Sequence, residues 1–96
     1  MIVEHPEKYK FLRFEKSHLK NKKYNAVLLN KETGKERKVP FGAIGYEQYK
    51  DSTGLNLYSK LNHLDKDRRK RYRERHKGEE KDKFSSGYFS YKYLWT

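Results

Sequence analysis

About half of the apolar residues in this chain are aromatic, since hydrophobic side chains make up 33% of its 96 residues and Phe, Tyr and Trp alone 16%. A hydrophobic fraction that low points toward disorder, but aromatic rings bury more area per side chain than any others and can close a core that aliphatics are too few to fill. The rings are grouped. Tyr9, Phe11 and Phe14 lie near the start and Phe84, Tyr88, Phe89, Tyr91, Tyr93 and Trp95 near the end. A fold built on them must bring the two ends of the chain together, as one small domain over residues 1–96 whose stability is modest without a partner or oligomer.

The first half reads as strands. Lys8 to Lys16 is an aromatic run whose apolar parity shifts between Phe11 and Leu12, as at a bulge. Lys23 to Asn30 sets Tyr24, Ala26 and Leu28 on one face and Val27 and Leu29 on the other. Asn30 to Gly34 reads as a hairpin turn with Gly34 left-handed, and Lys35 to Phe41 returns with Arg37, Val39 and Phe41 on one face. Pro40 marks an edge or a strand end. The expectation is an antiparallel meander of about three strands over residues 8–41.

The second half, residues 46–95, reads as helical. Tyr46 to Lys50 fits one turn, and Leu57, Leu61 and Leu64 have helical spacing after a cap at Ser52 or Thr53. Asp65 to Lys77 carries eight Lys/Arg against three acids, opens with two carboxylates suited to a helix N-terminus, and is followed by Gly78 as a stop. Asp67 with Arg71 and Lys70 with Glu74 are i, i+4 pairs. On such a helix Lys66, Lys70, Arg73 and Lys77 form one stripe flanked by Arg69, and Leu61, Leu64, Arg68, Tyr72 and His76 form another. The 78–83 segment reads as an exposed polar linker. In the last segment a helix starting at Ser85 or Ser86 sets Phe84, Tyr88, Tyr91 and Trp95 on one face, while a strand alternates Phe89, Tyr91, Tyr93 and Trp95. The fold class expected is α+β: the meander, a basic helix, and an aromatic C-terminal helix packed back on the sheet.

The charge balance bears on partners. With 24 Lys+Arg against 13 Asp+Glu the net charge is +11, for which a polyanion is the natural counterpart, although a charge run can also be nothing more than a solvated face. Cysteine is absent, which excludes disulfides, thiol catalysis and Cys-based zinc sites and fits a reducing compartment. No run has the length of a membrane span, and the N-terminus lacks a signal-peptide pattern. Gly42 and Gly45 match no standard phosphate loop and read as a turn. His63 and His76 are thirteen residues apart, about 20 Å on a helix, without an acidic cluster, and His5 and His18 have no partners at informative spacing. Neither a metal site nor a catalytic centre can be assembled, and no cofactor is expected.

Three sequence blocks carry a resemblance. Phe41-Gly42-Ala43 with Gly45-Tyr46 and Tyr49 has the form FG..GY..Y; His63, Asp65, Arg68, Tyr72 and Arg75-His76 have the form H.D..R...Y..RH; Ser86-Gly87-Tyr88-Phe89-Ser90 with Leu94-Trp95 is close to (S/T)AG(F/Y)xS...LW. In this order, over roughly residues 23–96, the blocks resemble a small basic family of nucleocytoplasmic large DNA viruses. Ser52 to Asn62 stands as an insertion relative to that pattern, and Ser86 replaces its alanine. The resemblance implies a viral, virion-associated protein, located in the virion or, during assembly, in the host cytoplasm or nucleus; it implies no mechanism.

Two functions follow as expectations, neither enzymatic. One is sequence-independent binding of nucleic acid, DNA before RNA, by Lys66, Arg69, Lys70, Arg73 and Lys77. The other is a minor capsid role in which basic surfaces cement acidic capsid proteins and Tyr91, Tyr93 and Trp95 anchor the interface. A nuclease acting on the same polyanion would need a metal cluster or a nucleophile with its base, which these residues do not offer.

Overall fold

The computed structural model describes residues 3–96 and is a small α+β fold. Strands β1 (Tyr9–Lys16), β2 (Lys22–Asn30) and β3 (Glu36–Ala43) form an antiparallel sheet in the order β1-β2-β3. The β1–β2 register slips between Phe11 and Arg13, at the shift in apolar parity, so that Phe11 and Phe14 face the same side. The β2–β3 hairpin closes on Gly34 at φ 73, with the Asn30 side chain accepting the Glu32 and Thr33 N–H groups.

One face of the sheet is covered by helix α2 (Ser86–Tyr93), started by the Ser85 hydroxyl accepting the Tyr88 N–H. Its Ser86 hydroxyl donates to the Pro40 carbonyl at 2.6 Å, tying the helix to β3. The buried ring within α2 is Phe89; of the Phe84, Tyr88, Tyr91 and Trp95 stripe expected from spacing, Phe84, just before the helix, is also buried, while the other three are only partly so. Phe89 lies 5.6 to 6.0 Å from the rings of Phe11, Phe14, Phe41 and Phe84, with Tyr24, Ala26, Leu28, Val39 and Leu94 completing the core. A phenylalanine has no hydroxyl to satisfy, so it takes the dry position while Tyr88 and Tyr91 stay half-exposed.

The span between β3 and the basic helix departs from expectation. Neither Tyr46–Lys50 nor Thr53–Leu64 is helical beyond a single 3₁₀ turn at Ser59–Leu61. Asn56 and Leu64 both have positive φ, and polar side chains far apart in sequence hold the segment in irregular form. Gln48 Nε2 donates to the Tyr58 carbonyl at 2.9 Å and to Asn62 Oδ1 at 2.7 Å, and the Asp51 N–H also reaches Asn62 Oδ1. Lys23, buried in β2, donates its ammonium to the Tyr46 carbonyl and to Gln48 Oε1; burial holds its pKa below the usual lysine range. The Tyr24 hydroxyl donates to the Asp51 carboxylate and accepts the Leu57 N–H.

Burial, reinforced by Asp51, pushes the Tyr24 phenol from 10.0 up to about 12. Because the folded value is raised, its stabilising contribution is complete below pH 10 and is lost as pH climbs from 10 to 12; the difference corresponds to about 3 kcal/mol. Urea midpoints measured from pH 9 to 12 should fall more steeply for the native chain than for Tyr24→Phe. Parallel curves would show that the phenol contributes nothing to alkaline unfolding.

Candidate nucleic-acid interface

Helix α1 (Lys66–Arg75) starts at Asp65, whose carboxylate accepts the N–H groups of Asp67 and Arg68 at 2.9 and 3.2 Å. Those backbone bonds hold the Asp65 carboxyl below its usual pKa. The Asp65 N–H in turn donates to His63 Nδ1 at 2.9 Å, so the ring proton of a neutral His63 sits on Nε2, which is buried and has no hydrogen-bond partner among the described residues. Burial, followed by the nearby Arg68 charge, lowers the His63 pKa and keeps the ring neutral.

The helix is shorter than the 65–77 run. It ends at Arg75 with His76 as its C-cap, so Lys77 lies beyond it, and Gly78 takes φ 98 as the cap of a 3₁₀ turn, Glu79–Lys81. Leu61 and Leu64 precede the helix and do not extend its second stripe. The 78–83 segment is no free linker, because Glu79 Oε1 lies 2.8 Å from His76 Nδ1.

No residue of α1 is buried, and it is seated through one side. Tyr72 stacks on Trp95, centroids 4.2 Å apart and planes within 4°, and on His76 at 4.2 Å; its hydroxyl meets Ser90 Oγ at 3.1 Å. Arg68 pairs with Glu47 at 3.2 Å. The three sequence blocks therefore meet in space. A Cβ on Gly42, at φ 78, would come within 3.0 Å of Leu94, and one on Gly87 within 2.9 Å of the Glu79 carboxyl, so both glycines permit close approach at this seam.

The opposite side of α1 faces outward. Lys66, Arg69, Lys70, Arg73 and Lys77 line one shallow depression together with Asp67, Glu74 and Tyr91. Among the described residues none of the five cations has a carboxylate within 4 Å, and the expected Asp67–Arg71 and Lys70–Glu74 pairs do not close to that distance. Two of the cations are held by tyrosines. The Arg69 guanidinium lies 4.5 Å from the Tyr49 ring centre, and that of Arg73 lies 5.0 Å from the Tyr91 ring centre while its Nε donates to the Tyr91 hydroxyl at 3.0 Å. Such contacts hold a guanidinium in place without neutralising it, leaving N–H groups for the oxygens of an anion.

Of the three expected interface aromatics, Tyr91 serves Arg73, whereas Tyr93 and Trp95 are committed to internal contacts. Tyr93 packs edge-on to Phe14 at 4.7 Å, and Trp95 lies on Tyr72. Both are drawn inward because a chain this poor in aliphatics uses its rings as mortar. Tyr49 also supports the cationic face, a role that carries no sequence signal, because its contact with Arg69 joins a loop to a helix and no periodicity encodes it.

Among the described residues no three His, Cys, Asp or Glu side chains converge as a metal site requires, and no helix is long and apolar enough to cross a membrane. A family described as a family of unknown function (DUF5754) matches residues 12–53, from within β1 through β3 and into the following loop. No curated protein and no solved structure matches the chain.

Proposed function

We propose that this chain is a small basic nucleic-acid-binding protein, DNA being the preferred polyanion, which contacts phosphates through Lys66, Arg69, Lys70, Arg73 and Lys77 without reading bases. The observation that carries the reading is the cationic depression along α1 and just past its end, whose five cations have no carboxylate within 4 Å among the described residues and two of whose guanidiniums lie against tyrosine rings. The likeness of its sequence blocks to a large-DNA-virus family adds the setting: a virion-associated protein that neutralises packaged genome, acting by binding rather than catalysis.

A second reading, a minor capsid component bound to acidic protein surfaces, draws on the exposed apolar side chains of the 44–64 loop, where Leu57 and Leu64 are 53% and 58% exposed. These, rather than Tyr93 and Trp95, would be its anchors.

A gel-shift titration with random-sequence duplex DNA at several salt concentrations tests the first reading. About five phosphate contacts give log affinity a slope of roughly −4 to −5 against log salt, equal for unrelated sequences. Binding that ignores salt, or that follows one sequence, rules the mechanism out.

A further inference from the structure

On the side of α1 away from the cationic depression lies a cleft of about 430 Å³, where the β2 start, the loop after β3, α1 and α2 meet. Its volume falls in the range of small-ligand sites and suits a single nucleotide, not a duplex. Arg68 and Arg75, at i and i+7, share this side of the helix, and Lys22 reaches it from the sheet. Arg68 is paired with Glu47, and Glu79 is taken up by His76, but Arg75 and Lys22 have no carboxylate within 4 Å among the described residues. The lining thus keeps an excess of positive charge. Tyr46, 72% exposed and also part of the lining, offers an unused ring face beside it.

We propose that this cleft holds one unpaired nucleotide, its phosphate at Arg75 and Lys22 and its base on Tyr46. Only the choice of ligand rests on the nucleic-acid reading above; the residues involved differ from those of the α1 face. Stacking a base on an aromatic ring raises affinity by about 5- to 150-fold, which gives single-stranded or frayed DNA an advantage over duplex.

Trp95 lines the cleft and is the one tryptophan in the chain, so its emission reports on this site. Titration of the full chain with deoxyadenosine 5′-monophosphate should give a saturable change in that emission. Arg75→Ala and Tyr46→Ala, both at exposed positions, should each weaken it about tenfold, while the Lys31→Glu/Lys35→Glu pair, in the β2–β3 turn and outside both sites, leaves it unaltered. Absence of a saturable response, an equal response to inorganic phosphate, or indifference to both cleft variants overturns the proposal. If Trp95 stays silent while duplex binding keeps its salt slope, the cleft assignment alone fails. A nucleotide response without any duplex binding supports the cleft and removes the α1 reading instead.

Discussion

Replacing both Lys70 and Arg73 with glutamate is expected to lower duplex DNA affinity about a hundredfold at 0.1 M salt. The magnitude follows from counterion release: each neutralised phosphate contributes about 0.9 to the salt slope, hence about 0.9 log unit between 1 M and 0.1 M salt. Losing two of about five contacts takes the slope from roughly −4.5 to −2.7, and the two introduced carboxylates add repulsion. Folding should survive, since both side chains are exposed and neither has a carboxylate partner among the described residues; such surface changes usually stay within about 0.5 kcal/mol. Lys31→Glu with Lys35→Glu, in the exposed β2–β3 turn, alters net charge equally and serves as the control. If it weakens binding as much as the α1 pair, net charge alone drives association and the helix face is not the contact.

Phe89→Ala is expected to cost about 3–5 kcal/mol, the range for deleting a buried phenylalanine ring and leaving a cavity. For a chain of this size that is comparable to the whole stability of the fold, so the variant should be largely unfolded at 37 °C. The expectation rests on position. Phe89 is 1% exposed and touches rings from β1, β3 and α2 itself, so no single neighbour can relax into the void. Urea unfolding at pH 7 measures the loss, and Phe89→Leu, which refills most of the volume, should lose well under half as much. A change below about 1 kcal/mol would mean that α2 does not close the core.

These two residues classes also mark what a reader of the bare sequence can and cannot see. The meander was legible because strands announce themselves by alternation and turn chemistry: Tyr24, Ala26 and Leu28 share a face, the Phe11/Leu12 parity break is a real register slip, and Gly34 is left-handed. The cationic face was legible from Lys66 to Arg73, since charge spacing on a helix is local, whereas Lys77 falls past the helix end. The 46–64 segment was not, because Leu57, Leu61 and Leu64 imitate a helical stripe while the groups that shape the loop are Lys23, Tyr24, Gln48, Asp51 and Asn62, joined across as many as 33 residues. Side-chain bonds to distant backbone leave no period to detect. The buried face of α2 was legible only in part, at Phe84, for a related reason: every candidate ring fitted a helix, and only the tertiary need to hide a ring without a hydroxyl selected Phe89.

The way α1 is seated has a practical corollary for dissecting the protein. Ten residues with no buried side chain are too few to stay helical in water by themselves, and what aligns them is the π-stack of Tyr72 between Trp95 and His76. A synthetic peptide spanning 63–78 would carry all the cations of the outer face yet behave as a fluctuating coil, without the Tyr49 and Tyr91 rings that orient its arginines. Whatever such a fragment bound would report on polycation chemistry in general, not on this surface.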